Sequence, residues 1–194
     1  MSGVRLVPWA EDDLVLLHRC NSAEMMAFLG GPVEPVALER RHQTYLELPW
    51  SGKGAMYRVD LDDGRAAGSV GHWLTEWRGE IVWETGWMVL PGFQGRGVAT
   101  AAARAVVDLL RGTGGPRYLH AYPVVGNAAS NAICRSAGFT SRGECDFEYP
   151  PGTKIRCHDW RVDLDRPATD PTPGHPNPTG AATTTSHPGN RRPG

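Results

Sequence analysis

The chain has 194 residues, a net charge of −1 and 40% hydrophobic residues. That is enough apolar material for one packed domain with an appendage, and a charge so near zero gives no broad pull toward nucleic acid or membrane surfaces. No apolar run reaches transmembrane length, and MSGVRLVPW lacks a secretory core, so a cytoplasmic protein is expected.

In chain order, Val4–Pro8 reads as a short strand. Glu11–Cys20 has acids at its front and leucines at helical spacing, and reads as a helix. Gly30-Gly31-Pro32 breaks the chain, and Pro35 opens a second helix that Pro49 closes. Ala55–Leu61 and Ala66–Trp77 are strands joined across Asp63-Gly64, a hairpin signal. Glu80–Leu90 is the next strand. A glycine-rich loop follows, then a helix from about Gly97 to Arg111, stopped by Gly112, Gly114, Gly115 and Pro116. Arg117–Pro123 is a strand. Asn127 caps a helix that ends at Gly138. Phe139–Tyr149 and Thr153–Leu164 are the last two strands. The order predicts an α+β (mixed α/β) domain over residues 1–165, with a mostly antiparallel central sheet. From 166 to 194 the chain is Pro, Gly and Thr with almost no apolar residues, and a disordered tail is expected.

Cys20, Cys134, Cys145 and Cys157 show neither C-x-x-C spacing nor paired histidines. Reduced thiols and no metal are expected.

The loop between the third long strand and its helix concentrates the chemistry. Gly95, Arg96, Gly97 and Val98 lie where a strand ends and a helix begins. The first helical N–H groups lack partners and carry the positive end of the dipole. Glycine lets a ligand reach that backbone, Arg96 adds charge and Gln94 stands at the rim, so a phosphate or pyrophosphate is the expected ligand. A Walker loop is excluded because no lysine is present. A dinucleotide fingerprint fails because Thr100 stands where the third glycine belongs.

Gln94-Gly95-Arg96-Gly97-Val98-Ala99 resembles the Q/R-x-x-G-x-G/A signature of GNAT-type N-acetyltransferases. Asn127-Ala128-Ala129-Ser130, followed by Gly138-Phe139, is similar to that family's second signature. The element order over residues 4–164 fits as well, and the branch that includes ribosomal-protein alanine acetyltransferases looks most similar. The resemblance implies a GNAT fold, with about four helices around a twisted sheet whose strands splay at the cofactor site. It implies acetyl-CoA as cosubstrate, with its pantetheine on Trp87, Met88 and Val89, and its pyrophosphate on the amides of Gln94 to Ala99. Asn127 would lie beside it, or serve only as a helix cap. The Met88 N–H would face the carbonyl oxygen where negative charge develops.

Acetyl transfer to an amine needs a proton acceptor. Glu84 is the first choice, in an apolar setting attributed to Trp83 and Trp87; Glu76, Glu80 and Glu148 follow. Many relatives carry a tyrosine where this chain has Cys134, so Ser130, Cys134 or water is left to protonate the thiolate. Gly86 within a strand suggests a bulge or a close backbone approach. The acceptor pocket is expected among Met25, Met26, Phe28, Trp73, Trp77, Trp83, Phe147 and Tyr149, while His72, His120 and His158 read as isolated. The expected partners are acetyl-CoA and an amine of unknown identity, with neither nucleic acid nor membrane, in a monomer or homodimer. A non-catalytic acyl-CoA-binding module on the same fold is the competing class.

Overall fold

The computed structural model describes residues 3–149 and 152–166. Within these, seven strands form one sheet: β1 (Val4–Pro8), β2 (Gly54–Leu61), β3 (Ala66–Trp77), β4 (Glu80–Val89), β5 (Tyr118–Ala121), β6 (Thr140–Glu148) and β7 (Lys154–Asp163). The helices are α1 (Leu14–Cys20), α2 (Pro35–Glu47), α3 (Val98–Leu110) and α4 (Ala128–Ser136). The sheet runs β1-β2-β3-β4-β5-β7-β6. Every neighbouring pair is antiparallel except β4–β5. This is the mostly antiparallel α+β sheet read from the sequence. The tail expected to be disordered lies, beyond Arg166, outside the described residues.

Two elements differ from their expected bounds. Glu11–Asp13 is a 3₁₀ turn ahead of α1. Its buried Asp13 accepts from the Ala10 N–H at 2.9 Å and from Arg58 at 2.8 Å, which tightens the chain before the α-helix begins. The fifth strand stops at Ala121, two residues before Pro123, which has no N–H for a ladder.

Strand alternation divides the core in two. On one face, Val59, Val70, Trp83, Val89, Leu119 and Ala121 meet Ala102, Ala103, Val106 and Val107 of α3. Alanines let α3 approach closely, and Cys134 of α4 is fully buried in the same core. On the other face, Met56 and Leu90 pack with Trp9, Leu16, Leu17, Cys20 and Leu38 from the α1–α2 side.

Asn131 ties α4 to the sheet. Its Oδ1 accepts from Trp160 Nε1 at 2.8 Å, and its Nδ2 donates to the carbonyls of Val124 at 3.0 Å and Asn127 at 2.8 Å. Alanine there would leave the Trp160 Nε1 without its acceptor, while the Val124 and Asn127 carbonyls keep the backbone N–H bonds of Asn127 and Asn131. Asn131→Ala should cost about 1–3 kcal/mol in urea unfolding; a loss below roughly 0.5 kcal/mol would show that solvent replaces this bond.

Candidate active site

The parallel β4–β5 pair is short. It is held at Trp83↔Leu119 and Glu84↔His120, yet β4 continues to Val89. From Thr85 onward the β5-facing edge of β4 therefore borders a gap in the sheet. The antiparallel ladder with β3 decides which main-chain groups face it. The Leu90 N–H donates to the Ala67 carbonyl at 2.9 Å, and the β3–β4 register runs unbroken behind it. Alternation then turns the amides of Met88 and Gly86 toward β3, and those of Thr85, Trp87 and Val89 toward the gap. The expectation for Met88 is corrected on this ground: its N–H and carbonyl belong to the β3 ladder, and Trp87 and Val89 supply the groups on the open edge.

The loop at the top of β4 takes a 3₁₀ turn, Pro91–Phe93, and then two left-handed glycines, Gly95 (φ 71°) and Gly97 (φ 79°). Gly97 is the N-cap of α3 and offers no side chain to it. The first intrahelical bond runs from Ala101 N–H to the Gly97 carbonyl at 2.9 Å, so the N–H groups of Val98, Ala99 and Thr100 lack helical acceptors. Val98 and Ala99 are buried by their side chains, which fixes this end of the helix against the sheet. Gly95, Arg96 and Gly97 are exposed. A Cβ on Gly95 or Gly97 would meet nothing in the protein, so the open side is a cradle lined by backbone. Gln94 is not a free rim group: its Nε2 donates to the Val89 carbonyl at 2.8 Å and braces the loop on β4.

Glu84 stands at the last paired rung, on the sheet face opposite α3. Its in-register neighbours are Trp73 on β3 and His120 on β5. Burial pushes its carboxyl up to about 7, and a hydrogen bond from Trp73 offsets part of that rise. The apolar setting expected from Trp83 and Trp87 is corrected: alternation places both on the α3 side, where they join that core. Trp73 supplies the apolar wall instead. Gly86 is not a bulge, since the β3–β4 register runs unbroken past it; the close approach there is that of the Trp73 ring, which a Cβ would meet at 3.1 Å.

His120 is not isolated. Its Nδ1 lies 2.7 Å from Asp159 Oδ1, both groups are buried, and Asp159 Oδ2 accepts from Trp77 Nε1 at 3.2 Å. Tyr122 stacks between His120 and Phe147. No local sequence pattern links residues 120 and 159; β5–β7 pairing does. Trp77 and Phe147 line a cavity of about 450 Å³ with Glu76, Glu148 and Lys154 on its walls. Met26 is buried, Phe28 is exposed, and the Tyr149 hydroxyl lies 3.4 Å from Arg41 on α2.

Asn127 caps α4, its Oδ1 accepting from the Ser130 N–H at 3.0 Å. Ser130 is half-buried in the first turn of α4. The Cys134 thiol is fully buried and pushed up to about 12 by that burial. All four cysteines are free.

The Acetyltransferase (GNAT) domain family matches residues 4–140. The chain belongs to the GNAT acetyltransferase family. With membership comes the activity class expected from the sequence, an acetyl-CoA-dependent acetyltransferase. No curated protein matches the GNAT chain. Among solved structures, an acetyltransferase from Agrobacterium tumefaciens str. C58 is similar at TM-score 0.66 and 23% identity, over 82% of this chain and 90% of that one. The Salmonella typhimurium acetyltransferase that modifies the N-terminal serine of ribosomal protein L7/L12 is similar at TM-score 0.69 and 20% identity, over 84% and 96%. Spermidine N-acetyltransferase from Vibrio cholerae, in complex with CoA and spermine, is similar at TM-score 0.67 and 15% identity, over 83% and 95%. At these identities the likeness is one of fold.

Proposed function

We propose that this GNAT enzyme transfers the acetyl group of acetyl-CoA directly to a primary amine, on a small molecule or a protein N-terminus, with Glu84 as the base. The observation that carries this reading is the position of Glu84: a carboxyl pushed up to about 7, at the rung where β4 and β5 part. A carboxylate with that affinity for protons accepts one from an ammonium near neutral pH.

The residues present fit the cosubstrate. The main-chain amides from Gln94 to Ala99, with Arg96 beside them, would hold the pyrophosphate at the N-terminus of α3. The gap-facing edge of Trp87 and Val89 would pair with the pantetheine amides as an added strand does. Acetyl-CoA supplies the activated acetyl thioester. The Trp87 N–H is the donor suited to negative charge on the acetyl oxygen. Ser130 is the candidate donor for the departing thiolate. Cys134 is unsuited to that task, because it is sealed in the core. Asn127 both caps α4 and borders the cofactor in this reading. The likeness to the ribosomal-protein and polyamine enzymes supports an amine acceptor without choosing between them.

The experiment is thiol release from acetyl-CoA with alanyl peptides, spermidine, an aminoglycoside and simple alkylamines. Turnover that requires one of these amines supports the reading. Binding of acetyl-CoA with no amine-dependent release would instead favour a binding module.

A further inference from the structure

We propose that a basic pocket next to Glu84 binds an anionic group, a carboxylate or a phosphate, carried by the acetyl acceptor several bonds from its amine. The proposal rests on the amine-acceptor reading above. The pocket has a volume of about 200 Å³ and includes Arg78, Arg142 and Arg161 among its walls. Each arginine comes from a different local setting. Arg78 and Gly79 form the two-residue turn between β3 and β4, with Trp77 paired to Glu80 across it. Both have positive φ, 54° and 83°, and Arg78 is the one non-glycine residue so placed among those described. Such turns favour Asn, Asp or Gly, and an arginine there costs on the order of 1 kcal/mol. Its guanidinium lies over the Trp77 ring at 5.2 Å. Arg142 sits in the irregular stretch of β6 between Ser141 and Glu144, beside Gly143 at φ 98°. Arg161 of β7 is pinned over the Tyr118 ring at 4.0 Å.

None of the three forms an ion pair among the described residues, although Arg5, Arg58, Arg65, Arg111, Arg117 and Arg156 do. Two acids line the same pocket. Asp159 is committed to His120 and Trp77, and Glu80 pairs with none of the arginines. Three guanidinium groups against two carboxylates, one of them already committed, leave the pocket net basic and suited to a planar or tetrahedral oxyanion.

The pocket's place on the strand points to the acceptor. Glu80 and Val82 border it, and both precede Glu84 on the same face of β4. The gap begins after Glu84, from Thr85 to Val89. Glu84 therefore stands between the acetyl donor's edge and the arginines. Arg161 lies two strand spacings from Glu84, through His120, about 10 Å between backbones. An acceptor with its anion at Arg161 and its amine at Glu84 thus needs the two charges several bonds apart, on the order of 7–10 Å. An α-amino acid's own amine and carboxylate are too close; an ω-amino acid or a short peptide fits.

The test compares 6-aminohexanoate with hexylamine as acceptors, in the native enzyme and in the Arg142→Ala/Arg161→Ala double variant. The native enzyme should favour 6-aminohexanoate in kcat/KM by at least about tenfold, the worth of one charge-assisted contact. The double variant should lose that preference, keep its hexylamine rate and bind CoA unchanged. A second readout needs no turnover: with CoA saturating the α3 cradle, inorganic phosphate should shift arginine side-chain NMR signals in the native protein and not in the double variant. Equal use of both amines, a preference that survives the double substitution, or no phosphate response would each overturn the proposal. If neither these amines nor the wider panel is acetylated while phosphate still binds, the amine-acceptor reading itself fails, and the assignment of the anion to an acceptor goes with it.

Discussion

Glu84→Gln is expected to lower amine acetylation by about 10²–10⁴-fold, the usual worth of a positioned general base, while the Kd for CoA stays within about twofold because the pyrophosphate cradle is untouched. The same substitution should make the protein more stable in alkaline buffer. Burial raises the folded-state pKa of Glu84 from its ordinary value of 4.5 to about 7. The folded protein thus holds this proton more tightly than the unfolded chain does. Its stabilising contribution is fully present below about pH 4.5 and is lost as pH rises through about 7. Glutamine stays neutral and avoids that loss, so thermal unfolding at pH 8 should show a gain on the order of 1–3 kcal/mol. Activity and stability move in opposite directions, which a merely structural glutamate would not produce. A variant that is inactive and also less stable at pH 8 would mark Glu84 as a packing residue.

Gly97→Val carries the second large effect. Valine at φ 79° adopts a left-handed conformation that costs about 1–2 kcal/mol. A Cβ there meets no protein atom within 4 Å, so the fold should survive with modest loss. The cost falls on the ligand side, where a branched side chain would stand over the first N–H groups of α3. CoA affinity should drop by at least about tenfold, equivalent to about 1.4 kcal/mol, with Glu84 still titrating near 7. Calorimetric titration with CoA measures this. Unchanged affinity would show that the ligand does not approach that turn.

The elements were legible because their signals are local. The Asp63-Gly64 turn, the Gly97 start of α3 and the Asn127 cap each sit within a few residues of the structure they produce. The glycine turn ahead of α3 was legible for the same reason. What pairs with what was not. Glu84 is flanked in sequence by Trp83 and Thr85, yet alternation sends Trp83 to the α3 core and leaves Trp73, eleven positions earlier, as its neighbour. The orientation of the Met88 amide depends on the β3 ladder, which one strand's sequence does not contain. His120 reads as a lone histidine until β7 brings Asp159 to it. The three arginines of the basic pocket come from β7, a turn and an irregular part of β6, and only the folded sheet gathers them.

The pH dependence of acetyl transfer at saturating acetyl-CoA, with an alkylamine in excess, tests the central claim most directly. The account predicts a rate that climbs through a single ionisation near pH 7 in the native enzyme, and a low profile without that limb in Glu84→Gln. A variant that retains the native rate and the native limb would contradict it.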